Sequence, residues 1–337
     1  MKTFLNKIFY FLVVFVGSTL YVNAQCTTNA GEMTTTAAIM LCDNECNTVT
    51  HNGAHVLDAN DILEFVLFLP SNPSQILARK STPNICFSEI PNGQYGITYH
   101  IAARAGNDAG GIVNPGDPCM DQSSPLPVTW FTTPVAHVSQ TTTSFCGKEG
   151  FLNATPPQAG LTGTWSSTVD FIPTNGGSVN NPSTDILVNT LGTHTFTWTV
   201  VNGPCVSSDN ITLDFIQQPN AYAGADATTC GNEITLSGIQ SVTGSVANWT
   251  GNGNFASATS FETQVTGSTF GAVTFVLRES IGPCWDEDEV TITFIQKPNP
   301  IITNTYDTVC GVNGSLNVLN TVGSGLWAAY YNNQILN

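Results

Sequence analysis

Four carboxylates crowd one short stretch, Gly282-Pro283-Cys284-Trp285-Asp286-Glu287-Asp288-Glu289. Clustered oxygen ligands of this kind are what a calcium ion takes, and Asp286 and Asp288 are the candidate ligands. A looser acidic set, Asp58, Asp61, Asp108, Asp117 and Asp121, offers similar chemistry, but its spacing matches no calcium-loop pattern. His51 and His55 stand four apart, the spacing that puts two zinc ligands on one helical face. Gly53 between them and the lack of the accompanying glutamate argue for a loop instead. His100 and His194 fall on the polar side of alternating runs and His137 near a module start, so all three are expected at the surface. No G-x-S-x-G nucleophile elbow is present, and Gly147-Lys148 lacks the glycine spacing and hydroxyl residue of a phosphate loop. Paired carboxylates for glycoside cleavage meet in space rather than in sequence, and nothing here singles out a pair. The expectation is therefore a chain with no catalytic residues and no cofactor, calcium being the one ion the acids could take.

The elements that must position these groups are strands. Thr, Asn, Gly, Val and Phe abound, favouring strands and turns. A unit recurs: Cys146-Gly147, Cys230-Gly231 and Cys310-Gly311 each open it, and Trp165, Trp249 and Trp327 follow. The second halves match more strictly. Gly203-Pro204-Cys205 answers Gly282-Pro283-Cys284, and Phe215-Ile216-Gln217-Gln218-Pro219 answers Phe294-Ile295-Gln296-Lys297-Pro298, both 79 residues on. The opening cysteines lie 84 apart, so the first unit carries five extra residues, placed in the turn-rich Phe171-to-Ser183 stretch. Phe196, Trp198 and Val200 alternate with threonines, as do Val273, Phe275 and Leu277 with their neighbours, which is the period of an antiparallel strand with one buried face. Several such strands in about 80 residues predict a two-sheet sandwich.

Against this repeat the acidic run loses its force as a metal site. Asp288 has a counterpart in Asp209, each four residues past its cysteine, but the first unit has Val206-Ser207-Ser208 where the second has Trp285-Asp286-Glu287. A site the module needed would recur. The reading preferred is a solvated turn whose charge blunts strand edges, with Asp209 and Asp288 capping local backbone N–H groups.

The chain opens with Lys2 and Lys7 ahead of an apolar run from Ile8 to Val16 and ends this segment at Val22-Asn23-Ala24, the pattern of a secretory signal peptide over 1–24. Its removal takes two of the eight basic residues and no acid, leaving a net charge of −18. Such a surface repels phosphate backbones and excludes nucleic acid as a partner. No second long apolar segment appears, so no transmembrane segment is expected in the mature chain. Ten cysteines behind an export signal predict disulfides. The simplest pairing joins Cys146 to Cys205 and Cys230 to Cys284, each within its own unit, and each contributing roughly 4 kcal/mol of loop-closure entropy. The third unit's partner for Cys310 would fall past Asn337, so this unit reads as truncated. Residues 25–134 hold five cysteines, Cys26, Cys42, Cys46, Cys86 and Cys119, an odd number that leaves one free or paired elsewhere. Asp61-to-Leu69 reads there as a buried strand, and Ile97, Tyr99, Ile101 and Ala103 alternate with polar neighbours.

The phrases DANDILEFVLF, YGITYHIAARAGND and NPGDPCMDQSSPLPVTW resemble a module of large gliding-motility-associated surface proteins of Bacteroidota, and GADATTCGNEITLSG, NWTGNGNF and GPCWDEDEVTITF resemble the PKD-like or immunoglobulin-like repeats of the same proteins. The resemblance implies export by the type IX secretion machinery, an outer-membrane-associated surface location and roles in adhesion or gliding motility. The expected chain is all-β: a signal peptide (1–24), an N-terminal sandwich-like module (25–134), two PKD-like repeats (135–218 and 219–299) and the start of a third (300–337). Its expected role is that of a non-catalytic adhesin or stalk whose partners are surface glycans or proteins. The rival is a carbohydrate-binding accessory region of a polysaccharide-active enzyme, in which Trp130, Phe131, Tyr222, Trp285, Tyr330 or Tyr331 stacks on sugars. The bland alternative puts such aromatics in the packing between modules.

Overall fold

The structure, a computed structural model, describes residues 26–299 and, beyond them, 301–302, 318–319, 325, 329–331 and 334–336. The expected signal peptide (1–24), Cys310 and Trp327 of the expected third repeat lie outside the described residues. The described residues form two compact units, one comprising residues 26–133 with Asn202–Cys205, the other Pro134–Val201 with residues 206–299.

The first unit is built on one sheet. Its strands are β1 (Ile39–Cys42), β2 (Asp61–Leu69), β3 (Asn72–Lys80), β4 (Thr98–Asn107), β5 (Asp121–Gln122) and β6 (Leu126–Phe131), ordered β1-β6-β4-β2-β3 with β5 on β4. Phe65 and Leu67 of β2 join Tyr99, Ile101, Ala103 and Ala105 of β4 and Leu126, Val128 and Trp130 of β6 in one core. Val66, Phe68 and Ala102 make a smaller cluster on the other face, so the apolar run in β2 buries both sides. Where a sandwich is expected, the second layer is irregular chain. Ala30, Met33, Val49, Ile85 and Ile90 cover the core from segments that pair through isolated bridges, Asn29 with Val56 and Met33 with His51 among them. Cys26–Cys119 and Cys46–Cys86 fasten this cover, supplying constraint that a second sheet would otherwise provide.

In the second unit the two repeats are built alike. The first contains β7 (Ser144–Cys146), β8 (Glu149–Asn153), β9 (Thr162–Ser167), β10 (Phe171–Pro173), β11 (Ser183–Val188), β12 (Gly192–Asn202) and β13 (Cys205–Ile216). The second contains β14 (Ala227–Cys230), β15 (Glu233–Ser237), β16 (Val246–Gly251), β17 (Gly253–Phe255), β18 (Glu262–Gly267), β19 (Gly271–Ile281) and β20 (Cys284–Ile295). Each folds as a four-stranded and a three-stranded sheet, β7-β13-β12-β9 with β10-β11-β8, then β14-β20-β19-β16 with β17-β18-β15. These are tandem immunoglobulin-like sandwiches. The five extra residues of the first repeat fall in loops, two between β9 and β10 and three between β10 and β11.

Alternation sets the cores. Phe196, Trp198 and Val200 of β12 pack with Leu213 and Phe215 of β13 and with Trp165; Val273, Phe275 and Leu277 pack with Val290, Ile292, Phe294 and Trp249. Trp165 lies against Trp198 with ring centroids 5.1 Å apart. Gly163 makes that possible, since a Cβ there would overlap the Trp198 ring. The second repeat has Ala247 and Leu277 at the matching positions, a larger residue for Gly163 and a smaller one for Trp198, both in its core.

The expected pairing Cys146–Cys205 and Cys230–Cys284 is wrong. Cys205 is bonded to Cys42, Cys284 to Cys146, and Cys230 is unpaired among the described residues. The reason is strand direction. β7 pairs in parallel with the end of β13, placing Cys146 opposite Ile216, while Cys205 begins that same strand. Eleven residues at about 3.3 Å each separate the two by about 36 Å, and a disulfide spans Cα atoms no more than about 7 Å apart. β14 and β20 repeat the arrangement with Cys230 opposite Ile295. The odd cysteine of the N-terminal module is thus Cys42, and its partner sits in the hairpin tip Asn202–Cys205 that belongs to the first unit.

Candidate functional site

The acidic run is not a turn. Asp286 to Glu289 lie within β20, and the turn is Gly282-Pro283 before it. Glu287 and Glu289 face solvent with Trp285, whereas Asp286 and Asp288 share the other face with buried Cys284 and Val290. There they hold the incoming segment: Asp286 Oδ2 accepts the N–H of Ala221 at 2.9 Å, and Asp288 Oδ2 that of Ala223 at 2.8 Å. Asp226 Oδ1 accepts the N–H of Thr291 at 2.8 Å, fixing the same segment from its own side. Asp209 does the same in the first repeat, accepting from Val138 N at 2.8 Å, and that bond holds its carboxyl below the usual range. These caps are not local, as the sequence suggested. They join residues 71 and 65 positions apart.

The other acids also serve backbone. Asp117 accepts from Asn107 N and Cys119 N at 2.7 and 2.9 Å, which lowers its carboxyl, and Asp121 accepts from Ala30 N at 2.7 Å. Asp61 takes the Thr28 hydroxyl at 2.7 Å and Asp58 N at 3.2 Å, Asp58 caps Asn60 N, and Asp108 caps Gly111 N. Among the described residues no three of His, Cys, Asp and Glu gather as a metal-holding group.

His51 uses both ring nitrogens. Nδ1 accepts the N–H of Gly53 at 3.1 Å, so Nε2 carries the proton and donates to Ala30 O at 2.7 Å. With neither lone pair open, its ring contact with His55 at 5.7 Å is packing, not ligation. His194, expected at the surface, is buried: it shares the parity of Phe196 on β12, and its Nε2 meets Thr190 O at 2.8 Å. His137 is exposed and faces Asp209 at 3.5 Å.

Two buried carboxylates escaped the sequence reading. Glu279 is 0% exposed and accepts from Ser241 N at 2.9 Å, Ser241 Oγ at 2.7 Å, Val242 N at 3.1 Å and the Ser245 hydroxyl. Burial pushes its carboxyl up, but the bonds from Ser245, Ser241 and Val242 hold it below the ordinary value. Parity could have revealed it, because Val273, Phe275, Leu277 and Glu279 share one face of β19. Glu64 pairs with Arg79 on the first unit's sheet, beside Arg104, whose guanidinium burial lowers from its usual value and which bonds Gln122 at 2.6 Å.

Of the aromatics, Trp130 is buried and donates Nε1–H to Glu45 O at 2.7 Å. Phe131 is half-buried and Tyr222 exposed. Trp285 is 49% exposed, with the Arg278 guanidinium 4.1 Å from its ring centre. Tyr330 and Tyr331 pair with Gln334 and Ile335 in a short hairpin.

The remaining chemistry is sulfur. Gly203-Pro204 and Gly282-Pro283 are two-residue hairpin tips with φ of +59° and +55° at glycine. Proline cannot follow with positive φ, so both are type II′ turns that present the next residue, a cysteine, at the tip. Cys205 Sγ lies 3.7 Å from Phe131 O, and Cys284 Sγ 4.0 Å from Ile216 O. A Cβ on Gly203 would meet the Phe131 ring at 2.9 Å, and one on Gly282 would meet Ile216 Cδ1 at 3.0 Å, so only glycine seats the tip this closely.

No family model matches the chain, and no curated protein gives a significant match. Solved structures of similar fold include the N-terminal eight immunoglobulin domains of Down Syndrome Cell Adhesion Molecule, at 11% identity over 78% of this chain and 36% of that one with a TM-score of 0.43. An E-to-A mutated variant of titin domains I67–I69 matches at 8% identity over 77% of this chain and 96% of that one, TM-score 0.41. Fibronectin(III)-like modules of Clostridium thermocellum CbhA match at 12% identity over 55% and 92%, TM-score 0.29.

Proposed function

We propose that this chain is a non-catalytic segment of a secreted, outer-membrane-associated surface protein, serving as adhesin or stalk in adhesion and gliding motility and exported by type IX machinery. The observation that carries the stalk reading is Cys146–Cys284. It gives successive repeats a second covalent path beside the linker that joins β13 to β14. Such a path lets a segment bear load without its repeats parting. The reading assigns no cofactor and gives Asp286 and Asp288 to the backbone bonds described above.

Force spectroscopy on the full chain tests it. In the oxidised protein, Cys42–Cys205 and Cys146–Cys284 leave only the 59 residues from Cys146 to Cys205 to pay out between Cys42 and Cys284. At about 3.5 Å per residue that is about 200 Å, against about 850 Å after reduction. Equal lengths released before and after reduction would remove the mechanical argument. Turnover of a glycan or peptide by the purified chain, lost on exchange of one acidic residue, would end the non-catalytic reading.

The exposed ring of Trp285 favours a second reading, glycan binding by an enzyme's accessory region. Under it, binding on a glycan array is lost in Trp285→Ala; under the stalk reading that exchange leaves the array unchanged.

A further inference from the structure

Cys230 stands where Cys42 and Cys146 stand. Each ends a short first strand, β1, β7 or β14, that pairs in parallel with the last strand of its own module, opposite Phe131, Ile216 or Ile295. In each, the next residue turns back with positive φ, 48° at Asp43, 77° at Gly147 and 102° at Gly231. Each then donates its N–H to the carbonyl opposite the cysteine, at 2.8 Å to Phe131, 2.7 Å to Ile216 and 2.8 Å to Ile295. Three sockets thus share one backbone geometry.

Two of them are filled. The Gly-Pro-Cys tips at 203–205 and 282–284 bond to Cys42 and Cys146 and set their glycines on Phe131 and Ile216. Those two apolar seats are half-buried. At the third socket Ile295 is 45% exposed, and Cys230 is exposed and unpaired among the described residues.

We infer that Cys230 and Ile295 form a third docking socket for the Gly-Pro-Cys hairpin tip of the repeat that follows, closed by a disulfide to Cys230. The occupant is set by the two filled cases. In both, the bonded tip comes later in sequence, by 163 and 138 residues, and passes over the tip of the socket's own repeat where there is one. Cys284 cannot serve, because it lies at the far end of β20 from Cys230. Bond formation joins the two Sγ atoms. The two thiols lose two protons and two electrons to a small-molecule or protein disulfide of the exporting compartment, which leaves as two thiols. The inference rests on the module geometry and stands or falls apart from the adhesin reading.

The test extends the chain. A copy of residues 219–299 replaces residues 300–337, the protein is folded in a glutathione redox buffer, and disulfides are mapped by mass spectrometry without reduction. The expected result is a bond from the original Cys230 to the copy's Gly-Pro-Cys cysteine, with complete loss of Cys230 alkylation and a new free thiol at the copy's own opening cysteine. Cys230 still alkylated, or the copy's two cysteines bonded to each other, would overturn the proposal. A second measurement needs no added repeat. Cys146→Ser in the full chain frees Cys284, and the Cys230 socket of another copy should then capture it. Disulfide-linked multimers joined Cys230 to Cys284, absent from Cys146→Ser/Cys230→Ser, support the socket, and a monomer with both thiols free counts against it.

Discussion

Replacing Asp288 by alanine separates a backbone clasp from a metal ligand. The bond removed is the one from Ala223 N to Asp288 Oδ2 at 2.8 Å, and Ala223 is 1% exposed within the core of the second repeat. A hydrogen bond to a charged acceptor contributes about 1.5–3 kcal/mol, and the N–H left behind has no water within easy reach. With Asp288 itself half-buried, the expected cost is about 2 kcal/mol. The assay is urea unfolding with EDTA or with millimolar calcium, alongside hydrogen exchange at the Ala223 amide. Exchange there should quicken by about 30-fold, since each 1.4 kcal/mol is tenfold. Asp209→Ala removes the matching bond to half-buried Val138 and should cost less, about 1 kcal/mol. Calcium should alter none of these values. If Asp288→Ala costs nothing in EDTA and destabilises only with calcium present, the carboxylate is a ligand and the clasp is refuted.

Two further outcomes follow from buried groups. Glu279 has a folded-state carboxyl held below its unfolded value, so its contribution is present above the unfolded pKa and is lost as pH falls through the folded one. Acid titration of stability should therefore show a loss below about pH 4.5 that is absent from Glu279→Gln, a variant less stable at neutral pH by about 3 kcal/mol. In the first repeat, Gly163→Ala drives a methyl into the Trp198 ring and should cost about 2–3 kcal/mol by overpacking. Trp198→Leu alone should cost about 3 kcal/mol through the cavity left. The double variant puts alanine and leucine where the core of the second repeat has Ala247 and Leu277, and urea unfolding should show it less destabilised than the two single costs combined by about 1 kcal/mol or more.

Much of the architecture was legible along the chain. Repetition of Cys-Gly, Trp and Gly-Pro-Cys marked the two complete repeats, and period-two alternation in β12, β13, β19 and β20 named the core residues, because strand parity is a property of local sequence. The same parity, applied one step further, places His194 and Glu279 inward and Asp286 and Asp288 on the face opposite Glu287 and Glu289. Even the Gly-Pro tips could be read as type II′ turns, since proline allows no other.

What no local pattern carries is which end of a sandwich a residue occupies. That β7 and β14 run parallel to the far ends of β13 and β20 is decided only when strands distant in sequence meet. This placement separates the cysteines of each repeat and joins them across repeats, and the odd cysteine count of the first module was its only trace in the sequence. The acids tell the same story: their type and spacing suggested an ion, but only the folded chain brings the N–H groups of Ala221, Ala223 and Val138 within hydrogen-bonding reach of them.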